Sequence, residues 1–123
     1  MRVAERSRMD PELLAERRGE SHHEFDLRVP EDLAVWPGHF PEFFVVPGVL
    51  QVDWVIRIAI DRLGFAAAPQ RIEALKFRTP LRPLQRFTLR LDIAADGRAF
   101  DFAMTGTSEV FSTGRFHLEP HPR

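Results

Sequence analysis

Apolar and polar residues alternate along several stretches of the chain, which is the period of a strand with one buried face. The segment HHEFDLRVP (residues 22–30) alternates in this way and stops at Pro30. The same alternation recurs at residues 71–78, 86–93, 99–106 and 109–118. An Asp-Gly pair at 96–97 is typical of a tight hairpin turn between two of them. The pattern predicts five strands of one antiparallel sheet.

Residues 49–63 follow a different pattern, because ten of these fifteen residues are apolar and they lie on nearly every face of a helix. Fifteen residues is long for a strand. Gly64 supplies a helix C-cap. The segment therefore predicts a helix buried on all sides, and the chain an α+β domain whose sheet wraps around this helix.

The segment DPELLAERRG (residues 10–19) carries helix-end signals. Asp10 is a candidate N-cap, Pro11 is suited to the first helical position, and Gly19 lies just past the end. These signals predict a short helix in a peripheral N-terminal arm, residues 1–20, followed by a single domain over residues 21–123.

Composition narrows the function classes. The 123 residues include no cysteine, which excludes disulfides, thiolate nucleophiles and cysteine-ligated zinc. The net charge of −1 and the absence of a recognisable motif give no support to nucleic-acid binding. No membrane span or apolar leader is present, so we expect a cytoplasmic protein. Eleven phenylalanines without a tyrosine indicate either a phenylalanine-rich core or an apolar tunnel.

The segment GHFPEFFVVPGVLQVDW (residues 38–54) resembles the signature of the beta-hydroxyacyl-ACP dehydratases, which have the hotdog fold. In that signature an acid on the central helix follows the histidine by fourteen residues, as Asp53 follows His39. The matching residues are Gly38, His39, Phe40, Pro41, Pro47, Gly48, Val49 and Asp53. A second segment, ALKFRTPLRPLQRF, resembles a strand and turn of the same family. The resemblance covers about residues 22–118 and looks closest to the aryl polyene branch.

The chemistry of dehydration assigns roles to three of these residues. His39 suits the base that removes the proton alpha to the thioester, since an imidazole with a pKa near 6.5 is poised for proton transfer at neutral pH. Gly48 lets the thioester approach the unpaired N–H groups of a helix start. Asp53 suits the acid that protonates the departing hydroxyl if burial beside Val52, Val55 and Ile56 keeps it protonated.

An ordinary salt bridge is the alternative for Asp53, because Arg57 stands four residues later on the same helix. In that case the carboxylate would orient His39 or a water. The resemblance further implies a homodimer, or a higher oligomer of dimers, in which His39 of one subunit meets Asp53 of the other across an acyl tunnel.

The remaining site residues follow from the resemblance. The substrate-contacting candidates are Phe40, Pro41, Phe43, Val46, Pro47 and Trp54, although core packing explains Trp54 equally well. The substrate would arrive on an acyl carrier protein, which is acidic, and the basic residues that would receive it are Lys76, Arg78, Arg82 and Arg86. Solvated strand charges explain these four as well. No cofactor is expected. No metal is expected either, because the other histidines lie in no recognisable motif, unlike His39 in its Gly-His-Phe-Pro segment. They are His22, His23, His117 and His121.

The function implied is dehydration of a 3-hydroxyacyl-ACP thioester in fatty acid or polyene lipid synthesis. A hotdog thioesterase and a non-catalytic acyl-binding subunit are the alternatives. Three departures from the family pattern leave the pathway and the acyl length open. The acid is aspartate, Asp53, where the general housekeeping branch of the family has glutamate. Arg57 stands where glutamine is usual, and Leu84-Gln85 stands where Gly-Asp is common.

Overall fold

The computed structural model of the protein describes residues 10–31, 45–65 and 69–118. These residues form six strands and one α-helix. In chain order the elements are β1 (Glu12–Arg18), β2 (His22–Arg28), α1 (Gly48–Leu63), β3 (Arg71–Phe77), β4 (Arg86–Ile93), β5 (Ala99–Thr105) and β6 (Val110–His117).

The strands form one antiparallel sheet in the order β1-β2-β4-β5-β6-β3. The five strands predicted from alternation are confirmed, each within two residues of its predicted ends. The predicted hairpin turn joins β4 to β5, where Gly97 adopts a φ of 72° and Ala94 N–H donates to the carbonyl of Ala99 at 2.9 Å. β3 follows α1 in sequence but lies at the far edge of the sheet, paired with β6 alone among the described strands.

One hydrophobic core fills the space between α1 and the sheet. Alternate residues of β2, β4, β5 and β6 point into it, as the period of two requires. Burial of each large side chain contributes roughly 1.5–3 kcal/mol. Six of the eleven phenylalanines are buried in this core, namely Phe25, Phe87, Phe100, Phe102, Phe111 and Phe116. Of the two explanations for the many phenylalanines, a core and a tunnel, these six residues agree with the core.

The helix predicted over residues 10–19 is wrong, because residues 12–18 form the edge strand β1. β1 pairs with β2 through backbone hydrogen bonds, and ion pairs reinforce the pairing. Glu12 lies opposite Arg28 and accepts from it, and Arg17 donates to Asp26 at 2.9 Å. Pairing with the free edge of β2 overrides the local helix signals. The sequence of a short segment does not reveal this pairing, because its partner strand lies elsewhere in the chain.

The helix α1 is predicted correctly, with Gly64 as its left-handed C-cap at a φ of 78°. The prediction that it is buried on all sides is wrong for the single chain. One face is buried, whereas Val49 on another is 79% exposed. The sheet covers one side of the helix only. No helix in the described ranges is long and apolar enough to cross a membrane.

The turn before β4 contains a strained residue. Leu84 adopts a φ of 64°, in the left-handed region that favours glycine, and its N–H donates to the carbonyl of Val29 at 2.9 Å.

Candidate active site

The start of α1 is fixed by the residues before it. Val46 N–H donates to the carbonyl of Leu81 at 2.6 Å, and the carbonyl of Val46 accepts from Nε2 of Gln51 at 3.1 Å. Both Val46 and Gln51 are buried. These two bonds tie the incoming chain to the turn after β3 and to the helix, and so place Pro47 and Gly48 at its first turn.

Two backbone N–H groups at this helix start have no acceptor among the described residues. Pro47 is the N-cap, and its carbonyl accepts from Leu50 at 3.0 Å and from Gln51 at 3.1 Å. The N–H groups of Gly48 and Val49 come earlier and have no partner within the helix. The positive end of the helix dipole lies behind them. The arrangement can stabilise a negatively charged oxygen.

A groove of about 350 Å³ lies beside this helix start. Residues 45–48, Gln51 and residues 77–80 line it. On one side the ring of Phe77 lies so close to Gly48 that a Cβ at residue 48 would be 2.7 Å from Cζ of Phe77. Val46, Pro47 and Gly48, three of the candidates from the sequence, line this groove together with Phe77. Their contacts with substrate stay predictions.

Asp53 lies one and a half turns along α1 from Gly48, and its side chain is 50% exposed. The expected burial beside Val52, Val55 and Ile56 is not found in the single chain. The salt bridge considered as its alternative is present, since Nε of Arg57 donates to Oδ2 of Asp53 at 3.0 Å. Oδ1 of Asp53 has no hydrogen-bond partner among the described residues.

Arg57 has a second carboxylate partner. Its Nη2 donates to Oδ1 of Asp10, which precedes β1, at 2.5 Å. The arginine therefore connects the N-terminal segment to the candidate acid. It also lines a cavity of about 140 Å³ between β1, β2 and α1, whose apolar lining includes Leu27 and Ile58.

Trp54 points into the core. It is 1% exposed and stacks on Phe87, with ring centroids 6.1 Å apart and ring planes 13° apart. It lines the cavity beneath Arg57 and is not among the residues of the groove at Gly48. Of the two explanations offered for Trp54, this placement agrees with core packing.

His39, Phe40, Pro41 and Phe43 lie outside the described residues. The meeting of His39 with Asp53, and the contacts of the three neighbours with substrate, therefore stay predictions. His121 is outside as well.

The three described histidines lie on strands of the sheet. His23 is buried between β1 and β4, and burial lowers its pKa, with a smaller effect in the same direction from Arg18. His117 Nε2 lies 2.5 Å from Oε1 of Glu73 across β3 and β6. His22 is exposed at the start of β2.

The four basic residues of the predicted docking patch are all exposed, but they do not share one groove. Arg78 lines the groove at Gly48. Arg86 lines a separate groove formed by residues of β1, β2, β4 and the end of β5. Lys76 lies on the edge strand β3, and Arg82 lies in the turn that follows. Arg78 is thus the member of the patch that the structure brings to the helix start.

The sequence model of the ApeI-like family, described as ApeI dehydratase, matches residues 15–115. The chain belongs to the ApeI-like dehydratase family. The matched range includes α1 with Gly48 and Asp53, and it covers β2 to β6 nearly in full. No curated protein matches the chain significantly.

Solved structures agree with this ApeI-like assignment. An uncharacterized protein from Erwinia carotovora subsp. atroseptica is 29% identical, with a TM-score of 0.76 over 89% of this chain and 96% of that one. The dehydratase heterocomplex ApeI:P from Xenorhabdus doucetiae is 25% identical, with a TM-score of 0.77 over 88% and 96%. The thioesterase superfamily member 2 of Mus musculus shares the fold, at 15% identity and a TM-score of 0.65 over 97% and 90%. The hotdog fold is confirmed.

Three features of this ApeI-like site were not predicted from the sequence. Phe77 stands in the second segment that carries the resemblance, and its position beside Gly48 depends on how β3 reaches α1. Gln51 is buried within an apolar stretch of the helix. A single polar residue at such a position was the only sign in the sequence of its structural role. Asp10 was interpreted as a helix cap, so its bond to Arg57 had no signal at all.

Proposed function

We propose that this protein removes water from a 3-hydroxyacyl thioester carried by an acyl carrier protein and so forms the trans-2-enoyl thioester. The observation that carries the proposal is the match of the ApeI-like dehydratase model over residues 15–115. That range contains His39, Gly48 and Asp53.

The first half of the reaction uses His39 and the helix start. The imidazole of His39 takes the proton from the carbon alpha to the thioester. Negative charge then develops on the thioester oxygen, and the unpaired N–H groups of Gly48 and Val49 supply donors for it. The groove beside Gly48 is the path we propose for the end of the phosphopantetheine arm.

The second half expels the hydroxyl from the beta carbon. Oδ2 of Asp53 accepts from Arg57, which leaves Oδ1 to face the substrate. With the ion pair intact, the carboxylate accepts a hydrogen bond from the leaving hydroxyl and orients it. His39 then returns the alpha proton to that oxygen, water departs, and the imidazole is neutral again. The acid role first considered for Asp53 requires instead that Oδ1 carry the proton.

A pH profile distinguishes these two roles of Asp53. If Asp53 is the acid, kcat/KM falls at high pH as the carboxyl loses its proton, and Arg57→Gln moves that fall to higher pH. If Asp53 orients the hydroxyl, Arg57→Gln does not shift any fall of kcat/KM at high pH. We expect the second result because of the observed ion pair.

We propose a homodimer formed through the edge strand β3. All seven residues of β3 are exposed, including Ile72, Leu75 and Phe77, and Val49 is exposed nearby. An exposed apolar edge strand is a ready site for pairing with another chain. The solved ApeI of Xenorhabdus doucetiae is part of a heterocomplex, so a different hotdog chain is the second candidate for this edge. The mass of the purified protein in solution separates monomer from dimer.

Product mass is the direct test of the reaction. Purified protein is incubated with a panel of 3-hydroxyacyl carrier proteins, and the intact carrier protein is weighed. We expect the loss of one water with the thioester intact, and no loss with His39→Ala. His22→Ala, which alters an exposed histidine on β2, is the matched control and should keep full activity.

The same experiment separates the alternatives. Release of a free acid would identify a thioesterase, a function whose support here is a fold likeness alone. Binding of the acyl carrier protein without any change in mass would identify a non-catalytic subunit. A second hotdog chain, added before incubation, shows whether such a subunit needs a partner protein.

A further inference from the structure

The guanidinium of Arg57 is shared between two carboxylates on different parts of the fold. Its Nε donates to Asp53 at 3.0 Å, and its Nη2 donates to Asp10 at 2.5 Å. Asp10 and Arg57 are 47 positions apart in sequence. We infer that Asp10 and Arg57 are positioning residues that hold the carboxylate of Asp53 in its working orientation. The inference rests on the proposed dehydration.

The planarity of the guanidinium makes this coupling possible. Its N–H donors have a fixed fork geometry, so a rotation that turns one donor away from its partner turns the others too. A bond to Asp10 therefore restricts the direction in which Nε can point. Asp53 has no partner other than Arg57 among the described residues, so its orientation depends on that direction.

The surroundings of Arg57 restrict it further. Arg57 lines the cavity of about 140 Å³ together with Leu27, Trp54 and Ile58. Long basic side chains commonly place their methylene groups on such apolar surface while the charged end stays wet. The side chain of Arg57 is about one third exposed, compared with one half for that of Asp53. The side chain is thus partly shielded from solvent, and two carboxylates hold its charged end.

A second ion pair between β1 and α1 provides the contrast. Nη2 of Arg62 forms an ion pair with Oε1 of Glu16 on β1, at 3.1 Å. Like the Asp10–Arg57 pair, it ties the N-terminal part of the chain to the helix. Among the described residues, however, no hydrogen bond or ion pair joins Arg62 or Glu16 to Asp53 or Arg57. If these pairs serve only to hold β1 in place, removal of either should have the same effect. If Asp10 acts on Asp53, only its own removal should affect the reaction.

The experiment compares Asp10→Asn, Arg57→Gln, their double variant and Arg62→Gln in the dehydration assay. A misplaced reacting group costs up to about 100-fold in rate, so we expect Asp10→Asn and Arg57→Gln each to lower kcat roughly 10- to 100-fold, with KM nearly unchanged. The double variant should be no worse than Arg57→Gln, because Asp10 acts through Arg57. Arg62→Gln should keep the wild-type kcat. Arg57→Lys should not restore it, since an ammonium cannot reproduce the fork.

Several outcomes would overturn the inference. They are a wild-type kcat for Asp10→Asn, an equal loss in Arg62→Gln, or additive losses in the double variant. Thermal unfolding of each variant shows that it is folded, and Asp10→Asn, a surface change of one atom, is the variant least prone to unfold. If the wild-type protein dehydrates no acyl chain in the panel, the proposed function fails and the inference falls with it. If the wild type is active and Asp10→Asn is equally active, only the inference fails.

Discussion

The ring of Phe77 occupies the space that a side chain at Gly48 would need. A Cβ built on residue 48 would lie 2.7 Å from Cζ and 2.9 Å from Cε2 of Phe77. Real Cβ contacts essentially never come so close. The sequence suggested that glycine is required here so that a thioester can approach. The structure adds a second reason, because the close packing of Phe77 on the helix start also needs a residue without a side chain.

Gly48→Ala is expected to lower the dehydration rate at least about 10-fold, because a displaced Phe77 ring would enter the groove that both residues line. The free energy of unfolding should change little, since Phe77 is 48% exposed and its ring can turn. Activity and thermal unfolding of the variant check both parts.

Phe77→Leu in the Gly48→Ala background is the control for this explanation. A smaller side chain should relieve the contact and recover part of the lost activity. If the double variant is no more active than Gly48→Ala, the added methyl group blocks the substrate directly, and the explanation through Phe77 is wrong.

Arg78→Glu is expected to raise KM for the acyl carrier protein several-fold and to weaken the dependence of KM on salt, with kcat little changed. Arg78 is the predicted docking residue that lines the groove at Gly48, and the carrier protein is acidic. Arg98→Glu, in the hairpin turn between β4 and β5, carries the same charge change as a control. Equal effects of the two variants would show a general charge effect and no docking site at Arg78.

Leu84→Gly is expected to be more stable than Leu84→Ala by about 1 kcal/mol, because the left-handed conformation strains any residue with a Cβ. At an ordinary position the order is the reverse, since glycine loses more conformational freedom on folding than alanine. Both variants remove the same half-exposed side chain, so the comparison isolates the backbone. Denaturant unfolding of the two proteins measures it, and a more stable alanine variant would show that the turn is unstrained.

Asp26→Asn is expected to lower Tm by a few degrees at neutral pH. Hydrogen bonds from Arg17, and a weaker one from Thr88, hold the pKa of Asp26 below its ordinary value of 3.8. Because the folded-state pKa is the lower one, this stabilisation is complete above pH 3.8 and is lost as the pH falls through the folded value. The Tm difference between variant and wild type should therefore shrink below that pH. A difference that stays constant down to pH 2 would contradict the assignment, and Asp61→Asn is an exposed control.

Patterns within single segments were sufficient to predict most of the sheet. Alternation at β4 fixes which residues face the core, and the apolar run with Gly64 fixes α1. The edge strand β1 could not be found in this way. Asp10, Pro11 and Gly19 are sound local helix signals, but β1 is held by pairing with β2 and by Arg17 and Arg28, whose partners are decided by the fold.

In the candidate site, too, features within one segment could be predicted and contacts between distant segments could not. The spacing within one segment placed Gly48 and Asp53 on the first two turns of one helix, and the i,i+4 rule anticipated the Arg57 salt bridge. Burial of Asp53, the condition set for its acid role, is not found in the single chain, because a pattern of apolar neighbours does not say which helix face the sheet covers. Phe77 and Asp10 reach the site from β3 and from the segment before β1, so their contacts depend on the assembled fold.

The central claim is that His39 and Asp53 of different subunits form one dehydratase site, and mixed dimers test it most directly. His39→Ala and Asp53→Asn chains, each inactive alone, are given different tags, co-expressed and purified as heterodimers. A heterodimer built on shared sites contains one intact site, so it should remove water from a 3-hydroxyacyl carrier protein at about half the wild-type rate. Heterodimers as inactive as the two parents, measured beside an active wild type, would contradict the claim.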